Sequence, residues 1–333
     1  MTYTLQTENR IELLTRLGKY MLSADLEWLD IQARAVNANS WFTVAHISLA
    51  INNIASEYLQ KDKLEQWIAH YKVTEKPKTI GIVMAGNIPL VGFHDFLCGF
   101  ISGHNLLIKL SSKDDMLFKY LLGKLTEWEP AVGSQVQIAD RLNNCDAYIA
   151  TGSNNTARYF EQYFGKYPHI IRKNRTSVAI LDGTETDEEL ALLADDVYLY
   201  YGLGGRNVTQ VCVHREYDFA RLPNIFNRHN DYADLNKYKN NYDYHLAIYL
   251  LNRIPYMSNE SLLMVENEMP FSAVSVLHYK FYDDKKELID SLFKSEEIQA
   301  IIGHGFIPFG DSQKPALSDF ADGVDTMAFL CGV

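Results

Sequence analysis

The spacing of apolar residues changes character near residue 77. Before it, Ile11, Leu14, Leu17 and Met21 recur at helical spacing, and Phe42, His46, Leu49 and Ile54 do the same after Ser40. That is the rhythm of helices burying one face, with Ser40 the expected N-cap of the second. Lys76-Pro77-Lys78 interrupts it. Beyond that point, short runs rich in β-branched residues alternate with helical patterns. The runs at 79–85, 105–109, 135–139 and 147–151 predict strands, and those at 90–101, 114–128 and 154–164 predict helices. Such alternation implies a parallel sheet with helices on its faces. Sheets of that kind take ligands at the carboxyl ends of their strands.

A second alternating set begins near Ser177 and runs to about Gly303, with a helix at 188–200 and a strand at 208–214. Within it, 224–252 is rich in Asn, Asp and Tyr and predicts a solvated loop leading into an amphipathic helix near 244–251. The last thirty residues are rich in Gly and Asp and are expected to wrap back over the first domain. The expected division is a first domain at 1–172, completed by 304–333, and a second at 173–303.

Charge and composition remove several classes of function. A net charge of -11 opposes a nucleic-acid surface, which needs clustered Lys and Arg, and disfavours anionic lipid. No apolar run is long enough to cross a bilayer. The N-terminal MTYTLQTENR has neither the basic start nor the apolar core of a secretory signal. Cys98, Cys145, Cys212 and Cys331 are far apart and form no C-x-x-C pair, and the histidines form no H-x-x-x-H pair. A cytoplasmic protein without a metal site is expected.

Three motifs sit where strands are expected to end. Gly86-Asn87-Ile88-Pro89 follows the first strand; Asn and Pro there suit a helix start, and an Asn amide can also donate to a developing oxyanion. Lys109-Leu110-Ser111-Ser112-Lys113-Asp114 ends the second, with Ser or Asp as a plain cap. Thr151-Gly152-Ser153 closes a further strand and opens a helix, whose N-terminus suits an anion. Gly202-Leu203-Gly204-Gly205 is not a dinucleotide loop: Asn207 occupies the last glycine position, and a helix precedes it where that loop needs a strand.

Taken in order, these motifs resemble the aldehyde dehydrogenase superfamily, and within it the bacterial acyl-CoA reductases of the LuxC family. Pro308-Phe309-Gly310 and the stretch 315–326, PALSDFADGVDT, are similar to the C-terminus of Bacteroidetes-type acyl-CoA reductases. The resemblance spans about 77–326 and implies a shortened aldehyde dehydrogenase-like two-domain α/β fold: a Rossmann-like cofactor domain plus an inserted α/β catalytic domain. It implies that Asn87 helps form an oxyanion hole. Lys109, with Ser111 and Ser112, would contact the adenosine ribose of a nicotinamide cofactor, and Gly152 and Ser153 the pyrophosphate and nicotinamide ribose. In Glu266-Asn267-Glu268-Met269-Pro270-Phe271, one Glu, Glu268 or alternatively Glu266, would hold the nicotinamide ribose. NAD-specific relatives carry a Glu where this chain has Ser112, beside Lys113, so NADP(H) is the implied cofactor.

The resemblance places a nucleophilic cysteine where this chain has Gly205. The register rests on Val213, eight positions on, followed by His214. Cys212 lies inside the expected strand as a core residue. The segment matching the general base of aldehyde-oxidising relatives, 169–175, has no acid, which fits thioester reduction. The implied activity is NADPH-dependent reduction of a fatty acyl-CoA to a fatty aldehyde through a cysteine acyl-enzyme, in a homo-oligomer. Gly205 leaves two readings open beside it: an inactive NADP and acyl-CoA binding module, or a Cys-to-Gly variant of an active reductase.

Overall fold

The β-branched runs form two sheets in the computed structural model, which describes residues 5–73 and 76–333. The chain divides into two compact units, Met1–Asn174 with Pro315–Val333, and Arg175–Lys314.

The first unit opens with helices α1 (Thr7–Met21), α2 (Leu26–Ala38), α3 (Val44–Asn53) and α4 (Lys61–Ile68). Leu14, Leu17, Trp28, Ile47 and Leu64 from these helices share one core with the sheet residues Ile80, Ile82 and Ile108. α3 does not start from Ser40. Asn39 accepts the Trp41 N–H on its side chain and the Phe42 N–H on its carbonyl, so the turn occupies 39–42. Thr43 then caps the helix through the His46 N–H.

The sheet of this unit holds β1 (Thr79–Val83), β2 (Asn105–Lys109), β3 (Val136–Ile138), β4 (Ala147–Thr151) and β5 (His169–Arg172). All pairs are parallel and the order is β3-β2-β1-β4-β5. The bounds of β1 to β4 lie within two residues of the expected ones, and β5 was not among the expected strands. The chain works outward from β1 to β3, then returns to β1's other side for β4. That reversal makes the gap between β1 and β4 the topological switch point. Helices α5 (Phe93–Ile101), α6 (Met116–Trp128), α7 (Ala131–Gln135) and α8 (Asn154–Phe164) connect these strands.

The second unit holds β6 (Thr176–Leu181), β7 (Val208–His214), β8 (Met257–Ser258), β9 (Leu263–Glu266), β10 (Val276–Tyr282) and β11 (Ile298–Ile302). Their order is β11-β6-β7-β10-β9-β8, parallel except that β8 runs against β9. Its helices are α9 (Asp187–Tyr198), α10 (Leu222–Phe226), α11 (Asn236–Asn252) and α12 (Lys285–Lys294). The stretch expected as a loop is largely helical: α10 runs into 3-10 turns at Asn227–Asp234, then into α11. Tyr232 and Tyr238 explain it. Their rings pack on each other and on Tyr201, and Tyr232 also meets Tyr198, which packs on Phe226. Burying those rings outweighs the weak helix propensity of Asn and Asp. α11 is also not amphipathic: Leu250, Leu251 and Tyr244 face solvent.

The chain then returns to the first unit. α13 (Thr326–Gly332) packs against α5, with Met327 and Leu330 fully buried. Among the described residues, no helix is long and apolar enough to cross a membrane.

Candidate functional site

Hydrogen bonding between β1 and β2 continues one residue past β1, where the Met84 N–H reaches the Lys109 carbonyl. The loops that follow then touch. A Cβ on Gly86 would lie 2.7 Å from Ser111 Oγ and 3.2 Å from Asp114 Cβ, so the approach needs glycine. Asn87 is exposed on this turn. The helix expected from residue 90 begins at Phe93 with Gly92 in the capping position. Asn87 is therefore not its N-cap, and Pro89 is outside its first turn. The cause is Leu90, held left-handed at φ +55° with its N–H bonded to Asp114 Oδ2 at 2.6 Å. Asp114 is itself buried, and burial pushes its carboxyl up to about 7 against the pull of the Leu90 N–H. It does not cap α6, whose N-cap residue is Asp115.

Lys109, Ser112 and Lys113 are exposed at and after the end of β2, and Ser111 Oγ accepts the Lys113 N–H at 3.3 Å. Gly152 follows β4 and donates its N–H to the Arg172 carbonyl. Ser153 caps α8, accepting the Thr156 N–H at 3.3 Å. Asn87, Lys109, Ser111, Ser112, Gly152 and Ser153 thus lie at the carboxyl ends of three neighbouring strands, β2-β1-β4, across the switch point. The positive end of the α8 dipole is at the same edge.

Arg172 was not singled out from sequence. It ends β5, buried, with its guanidinium on both oxygens of Asp95 at 2.6 and 2.7 Å and on Thr326 Oγ1 at 2.8 Å. The basic run at 172–175 was the local signal, and a sequence alone does not tell a buried Arg from a solvated one.

In the second unit, α9 ends in a strained turn. Tyr200, Tyr201 and Gly202 are all left-handed, with φ of +55°, +57° and +73°. Two consecutive tyrosines in that region are uncommon and need outside support. Asn207 supplies it. Fully buried, it accepts the Gly204 N–H at 2.8 Å and donates to the carbonyls of Leu199, Asp196 and Val197 at 2.7, 3.1 and 3.4 Å. Within the clamped loop, the Gly205 carbonyl accepts the Ser177 hydroxyl at 3.2 Å. Gly205 itself is not left-handed. A Cβ there would meet only the Arg175 carbonyl oxygen, at 3.4 Å, an ordinary contact.

Glu268 lies in a loop after β9 that β7 and β10 hold in place. Gln210 donates to the Asn267 and Met269 carbonyls, Thr209 to that of Pro270, and His278 Nδ1 lies 2.8 Å from the Met269 carbonyl. Burial lowers the His278 pKa, keeping it neutral. Glu266 and Glu268 are both exposed. The structure thus ties the loop of Glu268 to the strand that Gly205 precedes.

None of the four cysteines is an activated thiol. Cys212 is fully buried in β7, and burial pushes it up to about 12. Burial also raises Cys98, Cys145 and Cys331. Among the described residues, Asp182, Glu185 and His304 place their ligand atoms within 4.8 Å of one another. Those atoms are already engaged. Glu185 accepts the Asp182 and Gly183 N–H groups, Asp182 pairs with Lys285, and His304 bridges to Glu189.

Comparison with known proteins gives the same architecture. An oxidoreductase from Marinobacter aquaeolei superposes with a TM-score of 0.70 at 9% identity, over 91% of this chain and 74% of that one. An aldehyde dehydrogenase from Bacillus cereus gives 0.65 at 13% identity, over 90% and 72%. The Mycobacterium tuberculosis aldehyde dehydrogenase, solved with NAD+, gives 0.62 at 12%, over 86% and 70%. At these identities the likeness shows the fold, which is that of the aldehyde dehydrogenases. No curated protein matches in sequence. The family model for acyl-CoA reductase (LuxC) matches residues 8–202, the whole β2-β1-β4 edge included, and stops just ahead of Gly205. With more than half of its length matched, the chain belongs to the LuxC acyl-CoA reductase family.

Proposed function

We propose that this chain binds NADP(H) at the carboxyl edge of β2-β1-β4 and an acyl-CoA thioester at the loop before β7, and that it lacks turnover because Gly205 stands at the nucleophile position. The observation that carries the reading is the backbone at Gly205. Neither its conformation nor its surroundings require glycine, in contrast to Gly202, whose φ does. The clamped loop has room for a side chain at this position.

The donor set fits a nicotinamide nucleotide. A switch point, a capped helix N-terminus and exposed Lys109, Ser112 and Lys113 lie along one edge. Ser112 brings no charge against a 2'-phosphate, and exposed lysines add a modest attraction, so NADPH is preferred over NADH by a small factor. When bound, the cofactor supplies the hydride for the acyl carbon. The protein's share is position and charge. With a cysteine at 205, its thiolate would attack the acyl carbonyl and CoA would leave as its thiolate. By the resemblance, the Asn87 carboxamide would donate to the acyl oxygen as negative charge develops there. Arg172, neutralised by Asp95, ends the strand where oxidising relatives carry a general-base Glu, so no carboxylate of that segment activates water. A homo-oligomer in the cytoplasm completes the proposal.

The test is Gly205→Cys. The unaltered chain should show negligible NADPH oxidation with a long-chain acyl-CoA. The Cys variant should oxidise NADPH and carry the acyl group on residue 205 by mass spectrometry. Titration of both proteins with NADPH and NADH checks the cofactor preference. An unaltered chain that turns over with acyl on Cys212 would overturn the assignment. A Cys variant that binds both ligands yet takes no acyl group would favour the binding-module reading.

A further inference from the structure

We propose that Asp114 is a positioning residue: its carboxylate holds the Leu90 N–H and so fixes the turn that presents Asn87. The role of Asn87 rests on the function proposed above; the positioning itself does not.

The turn from Gly86 to Leu90 leaves β1 at the switch point and has no regular secondary structure. Leu90 is left-handed, a conformation that costs an L-residue on the order of 1 kcal/mol or more and needs support. The support is a short bond, Leu90 N–H to Asp114 Oδ2 at 2.6 Å. It arrives across sequence, from the loop after β2. Gly86 admits that loop, since any Cβ there would strike Ser111 and crowd Asp114. Leu90 is buried, and its carbonyl accepts the Phe93 N–H that begins α5. A right-handed Leu90 would turn residues 87–89 out of place.

Asp114 is only 8% exposed, and its other oxygen, Oδ1, has no hydrogen-bond partner. A carboxyl kept solely for packing would be costly here, since Asn or Leu would fill the same space without a buried charge. The groups that face it are the Leu90 N–H and Gly86 from the turn, and the Asp115 carboxylate on its own segment, paired with Lys119. Burial and Asp115 both favour the neutral form. The bond to Leu90 is therefore strongest when Asp114 is ionised, above about pH 7, and weakens as the pH falls through that value.

Hydrogen exchange of the nucleotide-free protein tests this directly. Asp114→Ala should speed exchange of amides at 86–92 roughly tenfold while leaving the amides of β4 and β5 unchanged. Asp114→Asn keeps an acceptor and should restore protection. After correction for intrinsic rates, protection in the unaltered protein should rise between pH 6 and 8, and that of the Asn variant should not. An Ala variant that loosens β4 and β5 equally would make Asp114 a general core residue and overturn the proposal. So would an Asn variant as unprotected as the Ala variant. NADPH binding is then measured separately, with loss in Ala and recovery in Asn expected. Normal exchange results with no NADPH binding even in the unaltered protein would refute the cofactor reading and leave the positioning role standing.

Discussion

Replacing Asn207 with alanine removes an acceptor and two donors from a buried turn and leaves the Gly204 N–H and α9's last carbonyls without it. We expect a loss of about 2–4 kcal/mol in urea unfolding. The variant should also lose protection across residues 199–206. A cost below about 0.5 kcal/mol would mean that the left-handed tyrosines hold themselves. Position 207 also shows what single residues disclose in sequence. Asn207 was legible only as the residue that spoils a glycine motif; its clamp depends on three carbonyls that helix α9 brings to it. Asp114 was legible only as a cap, because its partner lies on another strand's loop. Gly205 is the opposite case. Its register to Val213 and His214 can be counted along the chain, since β7 runs without interruption from Val208 to His214.

At the scale of elements, strands were read well because their β-branched runs are buried on both faces, as in β4 and β6. Two helices were read poorly, for different reasons. α5 starts late because a long-range bond to Asp114 fixes Leu90 outside the helix. α11 starts early because Tyr238 in its first turn packs on Tyr201, far off in the chain, and on Tyr232. A pair of substitutions separates the faces of α11. Tyr238, 2% exposed, should cost about 3–5 kcal/mol when changed to alanine. Leu251, 83% exposed, should change stability by no more than about 0.5 kcal/mol when changed to lysine. Equal costs in thermal unfolding would show that the outward face of α11 is covered in solution.

At the scale of the molecule, the two units differ in continuity. The second is a single stretch, Arg175–Lys314, with its own sheet and core. The first is completed by Pro315–Val333. That return segment is bonded in at several points: His94 Nε2 to the Leu317 carbonyl, His104 Nε2 to the Leu330 carbonyl, Tyr71 to Asp325 and Arg172 to Thr326. We therefore expect residues 175–314, expressed alone, to give a cooperative thermal transition. Residues 1–174 alone should give no such transition, and adding 315–333 as a separate peptide should restore it. A cooperative 1–174 fragment would show that the return segment is dispensable. The expected boundary at 303/304 falls ahead of the observed one at 314/315 because the glycine-rich turn at Gly303 and Gly305 bends the chain without taking it out of the second unit.

The same discontinuity sets an order of events on the ribosome. The 175–314 stretch is finished before any of 315–333 exists, and at about 5–20 residues per second it occupies the ribosome for roughly 7–28 s. Throughout that interval the nascent first unit lacks Met327 and Leu330, and the apolar side of α5 that they cover stays open. The carboxyl edge of β2-β1-β4 is translated before Arg175–Lys314 and its unit is completed only after it, so a chain cut short by stalled translation would carry every motif of that edge on an unfinished unit.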